Sequence, residues 1–119
     1  MEVINIDDKL RKFADHFNPR IIAELNGQHV KLGKFKGDFI WHSHQNEDEM
    51  FYVLKGKFFM DFRDQTLEIN EGEIIIVPKG VEHRPRADEE VCVMLFEPSS
   101  TLNTGNVENE LTRVKLEWI

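Results

Sequence analysis

The sequence predicts an all-β domain, a sandwich or small barrel, preceded by one short helix. Three observations carry that expectation. Short runs rich in β-branched and aromatic residues recur about every ten residues after Pro19, turn signals separate them, and no second helical stretch is present to cross over between parallel strands. The chain has 119 residues, the size of one domain, and its 40% hydrophobic content with nine Phe supplies a core rather than the composition of a disordered segment.

Taken in order, Ile6, Leu10, Phe13, Ala14 and Phe17 lie on one helical stripe, Asp7 and Asp8 suit the first turn, and Pro19 stops the helix. The expected strands are RIIAEL from Arg20, HVKLGKF from His29, FIWHSH from Phe39, EMFYVL from Glu49, KFFMDF from Lys57, TLEI from Thr66, EIIIVP from Glu73 and VCVMLF from Val91. Asn26-Gly27, Lys36-Gly37-Asp38, Gln45 to Asp48, Lys55-Gly56, Arg63 to Gln65, Asn70 to Gly72 and Lys79-Gly80 are the turns between them. Beyond Pro98 the chain reads as loop, and LTRVKLEWI from Leu111 as a late strand. The resulting divisions are a helical segment at 1–19 packed on the barrel, a barrel at 20–98, and a C-terminal loop and strand at 99–119 placed at a dimer interface.

With 15 Lys and Arg against 22 Asp and Glu the formal charge is −7, and basic residues are scattered among acids. Binding driven by a nucleic-acid backbone is therefore not expected. No run approaches the ~20 apolar residues of a membrane span, the N-terminal stretch lacks a signal-peptide block, and the lone Cys92 has no partner for a disulfide. The expectation is a cytoplasmic protein with no membrane partner.

The chemistry concentrates in HSHQNEDE at 42–49. On a strand His42 and His44 project to one face, and after a four-residue connection Glu49 restarts the neighbouring strand opposite His44. Two imidazoles and a carboxylate suit a first-row transition metal. His83, after EIIIVP and the Lys79-Gly80 turn, offers a fourth nitrogen, although local spacing does not itself bring it to the other three. Glu47 is the rival carboxylate, but its place in the connection, like that of Asp48, reads as a solvated acid.

GDFIWHSHQNEDEMFYVLKG at 37–56 and GEIIIVPKGVEHRPRA at 72–87 resemble the two motifs of the cupin family. In the first, a glycine precedes H-x-H, Glu49 follows after four intervening residues, and Gly56 closes the motif; in the second, Gly72, Pro78, Gly80 and His83 stand at the family spacing. Two positions depart: four residues rather than five separate Gly37 from His42, and Ala87 stands where the family pattern has Asn. The resemblance implies a double Greek-key jelly-roll β-barrel and makes His42, His44, Glu49 and His83 the ligands of one divalent transition metal per chain, Fe, Mn, Ni or Zn. It also implies a small-molecule ligand or substrate. The family's single-domain members include dioxygenases, sugar or sugar-phosphate isomerases, decarboxylases and proteins without catalytic activity. The expected function is accordingly a metalloenzyme of oxygenase or isomerase type in which Glu49 doubles as a base, with a non-catalytic binder as the alternative. Similar small cupins pair sheet to sheet, so a homodimer is expected.

The remaining residues have plainer readings. Trp41, Phe39, Phe51, Phe59, Met60 and Ile74 to Val77 are expected in the core. Met94 and Phe96 share a strand face with Cys92 and are pocket candidates, with core filling the alternative. Arg84 and Arg86 lie on the face opposite His83, with Asp88 to Glu90 as their expected partners.

Overall fold

The computed structural model describes residues 1–119. Its elements are α1 (Ile6–Leu10), β1 (Arg20–Leu25), β2 (Gln28–Asp38), β3 (Glu49–Lys55), β4 (Lys57–Phe62), β5 (Thr66–Asn70), β6 (Ile74–Val77) and β7 (His83–Pro98). All pairings between these strands are antiparallel, in the order β1-β2-β7-β3-β6, with β4 joining both β5 and β7. The architecture is a jelly roll whose ladder does not close on itself, since β1 and β6 remain edges.

β7 ties the two layers together. Its first residues, His83 to Arg86, pair with β4, while Cys92 to Phe96 lie between β2 and β3. Asp88, Glu89 and Glu90 lie at the register shift opposite Phe35 to Gly37 and are exposed. Strand alternation then sends Val91, Val93, Leu95 and Glu97 inward. The main core joins Val91, Val93 and Leu95 to Phe35, Phe39, Phe51, Val53, Phe58, Met60 and Phe17.

The N-terminal helix is shorter than the expected stripe from Ile6 to Phe17. α1 starts at Asn5, whose side chain accepts from Asp8 N at 2.9 Å, but it ends at Leu10. Lys34 Nζ donates to the carbonyls of Leu10 (2.8 Å) and Phe13 (2.6 Å), and Phe17 has a φ of 56°. Leu10 and Phe13 cover Leu32 on the outer face of β2, whereas Phe17 enters the main core and stacks on Phe35 and Phe39 with ring centroids 5.1 and 4.9 Å away. A continuous helix would hold all three on one stripe, so the chain breaks to serve both sides of the sheet.

Several other expectations are corrected. The C-terminal LTRVKLEWI is not a strand; it makes one parallel bridge, Trp118 to Ile21, with Ile21 N donating to Glu117 O at 2.9 Å. Ile74 and Ile76 are 55% and 58% exposed because β6 is an edge strand that turns only Ile75 and Val77 inward. Trp41 is half-buried between guanidinium groups, with Arg63 at 3.8 Å and Arg84 at 5.3 Å from its ring centroid. Arg84 and Arg86 bind the buried Asp61 rather than the acids at 88–90. Met94 and Phe96 fall on the outward phase of β7; Met94 packs in the Leu10, Phe13 and Leu32 cluster, away from the cavity that Leu95 and Glu97 line. No helix is long and apolar enough to cross a membrane.

Candidate metal centre

His42, His44, Glu49 and His83 are brought together inside the jelly roll, all buried, with one potential ligand atom from each lying within 4.8 Å of the others. His42 and His83 form an isolated antiparallel bridge, His42 N donating to His83 O at 3.0 Å and His83 N to His42 O at 2.9 Å. That bridge supplies the long-range contact absent from local spacing. Gly80 N donates to His44 O at 2.8 Å, so the turn after β6 also holds the H-x-H segment. Glu49 enters as the first residue of β3 and pairs with Val77 of β6.

The hydrogen bonds orient the rings. His42 Nδ1 lies 2.9 Å from Ile40 O, and His83 Nδ1 lies 2.8 Å from Val81 O. Since a carbonyl only accepts, each Nδ1 carries a proton, and each ring is turned with its Nε2 inward. Burial first, then the neighbouring His83, pulls the His42 imidazole down to about 4, so it is neutral at pH 7.

Glu49 Oε1 lies 3.0 Å from His44 Nε2 and 3.2 Å from His83 Nε2. Burial alone would raise the Glu49 carboxyl, but its contacts with His44, His83 and Glu97 outweigh that and hold it well below the usual carboxylate range. The His44 approach is close but misaligned for a hydrogen bond, and neither of its ring nitrogens has a partner. Buried potential ligand atoms converging on one point, with no hydrogen bond to either nitrogen of His44, suit a cation among them. Three imidazoles and one carboxylate therefore fit a divalent transition metal by both chemistry and placement.

Sequence reasoning found no inward acid or base beyond these four, and the structure supplies two groups. Lys31 and Glu97 are 2% and 3% exposed and form an ion pair of 2.7 Å. They line a cavity of about 30 Å³ together with His42, Glu49, Phe35 and Leu95. Burial, then the adjacent Glu49 charge, raises the Glu97 carboxyl well above its ordinary range. The alternation of HVKLGKF and VCVMLFE holds the only sequence signal: Lys31 shares its strand phase with Phe35, and Glu97 shares its phase with Val91, Val93 and Leu95.

The C-terminal loop also contributes. Asn106 Oδ1 accepts from Ser43 N at 2.9 Å, and Asn106 N donates to Ser43 O at 3.0 Å. Ser43 stands between the two histidines, so this double clamp fixes the segment that carries them. Glu47 accepts from Ser100 Oγ at 3.0 Å and Asp48 accepts from Lys79 N at 2.8 Å, which leaves both outside the cluster.

Comparison with known proteins gives the same picture. A family model described as a cupin domain matches residues 25–97. The solved structure of a cupin-2 domain containing protein from Shewanella frigidimarina is 47% identical, with a TM-score of 0.80, over 81% of this chain and 94% of that one. A Neisseria meningitidis structure is 35% identical, with a TM-score of 0.76, over 82% of this chain and all of that one. Among curated proteins, YdbB of Bacillus subtilis is 39% identical across 56% of this chain and 59% of its own length. An acireductone dioxygenase of Yarrowia lipolytica is 31% identical across 71% of this chain and 51% of its own. The chain thus spans only a little over half the length of these two curated relatives.

Proposed function

The chain belongs to the cupin domain family, and on that footing we propose that it is a metal-dependent enzyme acting on a small molecule by oxygenase or isomerase chemistry. The observation that carries the reading is the convergence of four buried donors, two of whose nitrogens, both on His44, have no partner in the protein. His42, His44, Glu49 and His83 hold the ion, which when bound supplies Lewis acidity or, if it is iron, access to dioxygen. The Ile40 and Val81 carbonyls keep the His42 and His83 rings turned with Nε2 inward. Phe35, Phe39 and Phe51 around the cavity keep water from the reacting atoms, and Glu49 is the base nearest to them. Likeness to proteins called acireductone dioxygenase favours the oxygenase branch.

The reading includes a cytoplasmic homodimer, with residues 20–98 as the barrel; exposed Ile74 and Ile76 on the β6 edge support the pairing. Elemental analysis of untagged protein beside a His42→Ala/His44→Ala variant tests the metal. About one Fe, Mn, Ni or Zn per chain, lost in the variant, is the expected result. No metal in the wild type after incubation with each ion would sink the proposal.

A further inference from the structure

A buried lysine beside the four potential metal ligands calls for a reason. Lys31 donates to Glu97 Oε1 at 2.7 Å, its two other N–H donors have no protein acceptor, and Glu97 Oε2, although the carboxyl lies against Glu49, accepts no hydrogen bond. Both side chains are more than nine-tenths buried and both line the cavity that reaches His42 and Glu49. A buried ion pair is a poor source of stability, since taking two charges out of water offsets their attraction and an apolar pair of the same volume often does as well. The sheet register shows how the pair is placed: Lys31 stands opposite Leu95 and His29 opposite Glu97, so Lys31 and Glu97 are diagonal neighbours on the inner face of β2 and β7.

From this geometry we infer that Lys31 is the anion-binding group of the site, held by Glu97 to take the ionised oxygen of a small organic acid, a carboxylate or its enolate. The inference rests on the metal reading above and deepens it by naming the ligand class. An ammonium with two unfilled N–H donors in a buried space is matched by an anionic acceptor, which forms a stronger charge-assisted hydrogen bond than a neutral ligand does. The cavity, about 30 Å³, has room for roughly two waters, so what enters is the end of a small molecule.

The test uses full-length protein loaded with Zn²⁺, pyruvate as the anionic probe and pyruvamide as its neutral isostere, with affinities read by titration calorimetry and metal content by elemental analysis. Wild type is expected to prefer pyruvate at least about tenfold, the effect of one charge-assisted hydrogen bond. Glu97→Gln, which leaves the Lys31 ammonium without its carboxylate, is expected to tighten pyruvate binding. Lys31→Met/Glu97→Gln, which buries no unpaired charge and so keeps the test alive if the single variant fails to fold, is expected to lose the preference while retaining one Zn²⁺ per chain. A purely structural ion pair predicts no opposite movement of the two variants. Full metal with no pyruvate preference in wild type, or a preference that survives in the double variant, overturns the inference alone. Absence of metal from wild type overturns the metal reading and this inference with it.

Discussion

Zinc is expected to raise the melting temperature of the wild-type protein, and His44→Leu to remove most of that rise. The structure sets up both halves of the prediction. His44 is buried and neither ring nitrogen makes a hydrogen bond, so an apolar side chain of similar size costs the metal-free protein only the 3.0 Å contact with Glu49. The metal-free variant therefore melts modestly below metal-free wild type, by the loss of that one contact. Binding to the native state alone contributes about 2.7 kcal/mol when free zinc is 100 times the dissociation constant. At about 3–5 °C per kcal/mol for a chain of this size, the rise in wild type is about 8–14 °C. If loss of one imidazole weakens binding about 100-fold, the same zinc concentration yields only about 0.4 kcal/mol, a rise of about 1–2 °C. Differential scanning fluorimetry at matched free zinc, buffered by a weak chelator, reads all four values. A full zinc-induced rise in His44→Leu would refute the assignment of His44 to the metal, and a large drop for metal-free His44→Leu would show that the ring has a packing role the unpartnered nitrogens do not suggest.

Two further perturbations follow from the same geometry. Gly105 has a φ of 56°, and a Cβ there would lie 2.2 Å from Ser43 O, so Gly105→Ala must displace the backbone that clamps the segment between His42 and His44. We expect a loss of at least about 1–2 kcal/mol from the left-handed conformation alone, together with weaker zinc binding; urea unfolding and a zinc titration check both, and unchanged values would remove the clamp from the account. Asp61 is buried, which alone would raise its carboxyl, but Arg86, Arg84 and Thr66 outweigh burial and lower it. Because the folded-state value is depressed, its stabilising effect is present above the unfolded value of about 3.9 and is lost as pH falls through the lower folded value. Asp61→Asn is therefore less stable than wild type at pH 7, and the gap narrows in acid; a gap that stays constant from pH 7 to pH 3 in urea unfolding would contradict this.

Fold class, most strand positions and the four clustered side chains can be read from the order of residues alone. Period-two alternation and turn chemistry are local, and the spacing of the two motifs made His83 join His42, His44 and Glu49 by resemblance before any contact was known. Where local pattern and packing disagreed, tertiary structure decided. The helical stripe from Ile6 to Phe17 is present, yet only Ile6–Leu10 is helical, because Phe17 is needed on the opposite side of the sheet from Leu10 and Phe13. The apolar run from Ile74 to Val77 looks like core, but an edge strand has only one covered face, so Ile74 and Ile76 remain exposed.

Facing direction escaped the sequence for a related reason. Alternation states that Met94 and Phe96 share a face and that Leu95 and Glu97 share the other, but not which face meets the cavity; the packing of Leu10 and Phe13 against Leu32 settles it. The same choice turns Lys31 and Glu97 inward. The two stand far apart in the chain, and each alone looks like an ordinary surface charge on a strand. Their meeting, like the His42–His83 bridge, is a property of strand register, which is set by long-range pairing and which no local pattern encodes.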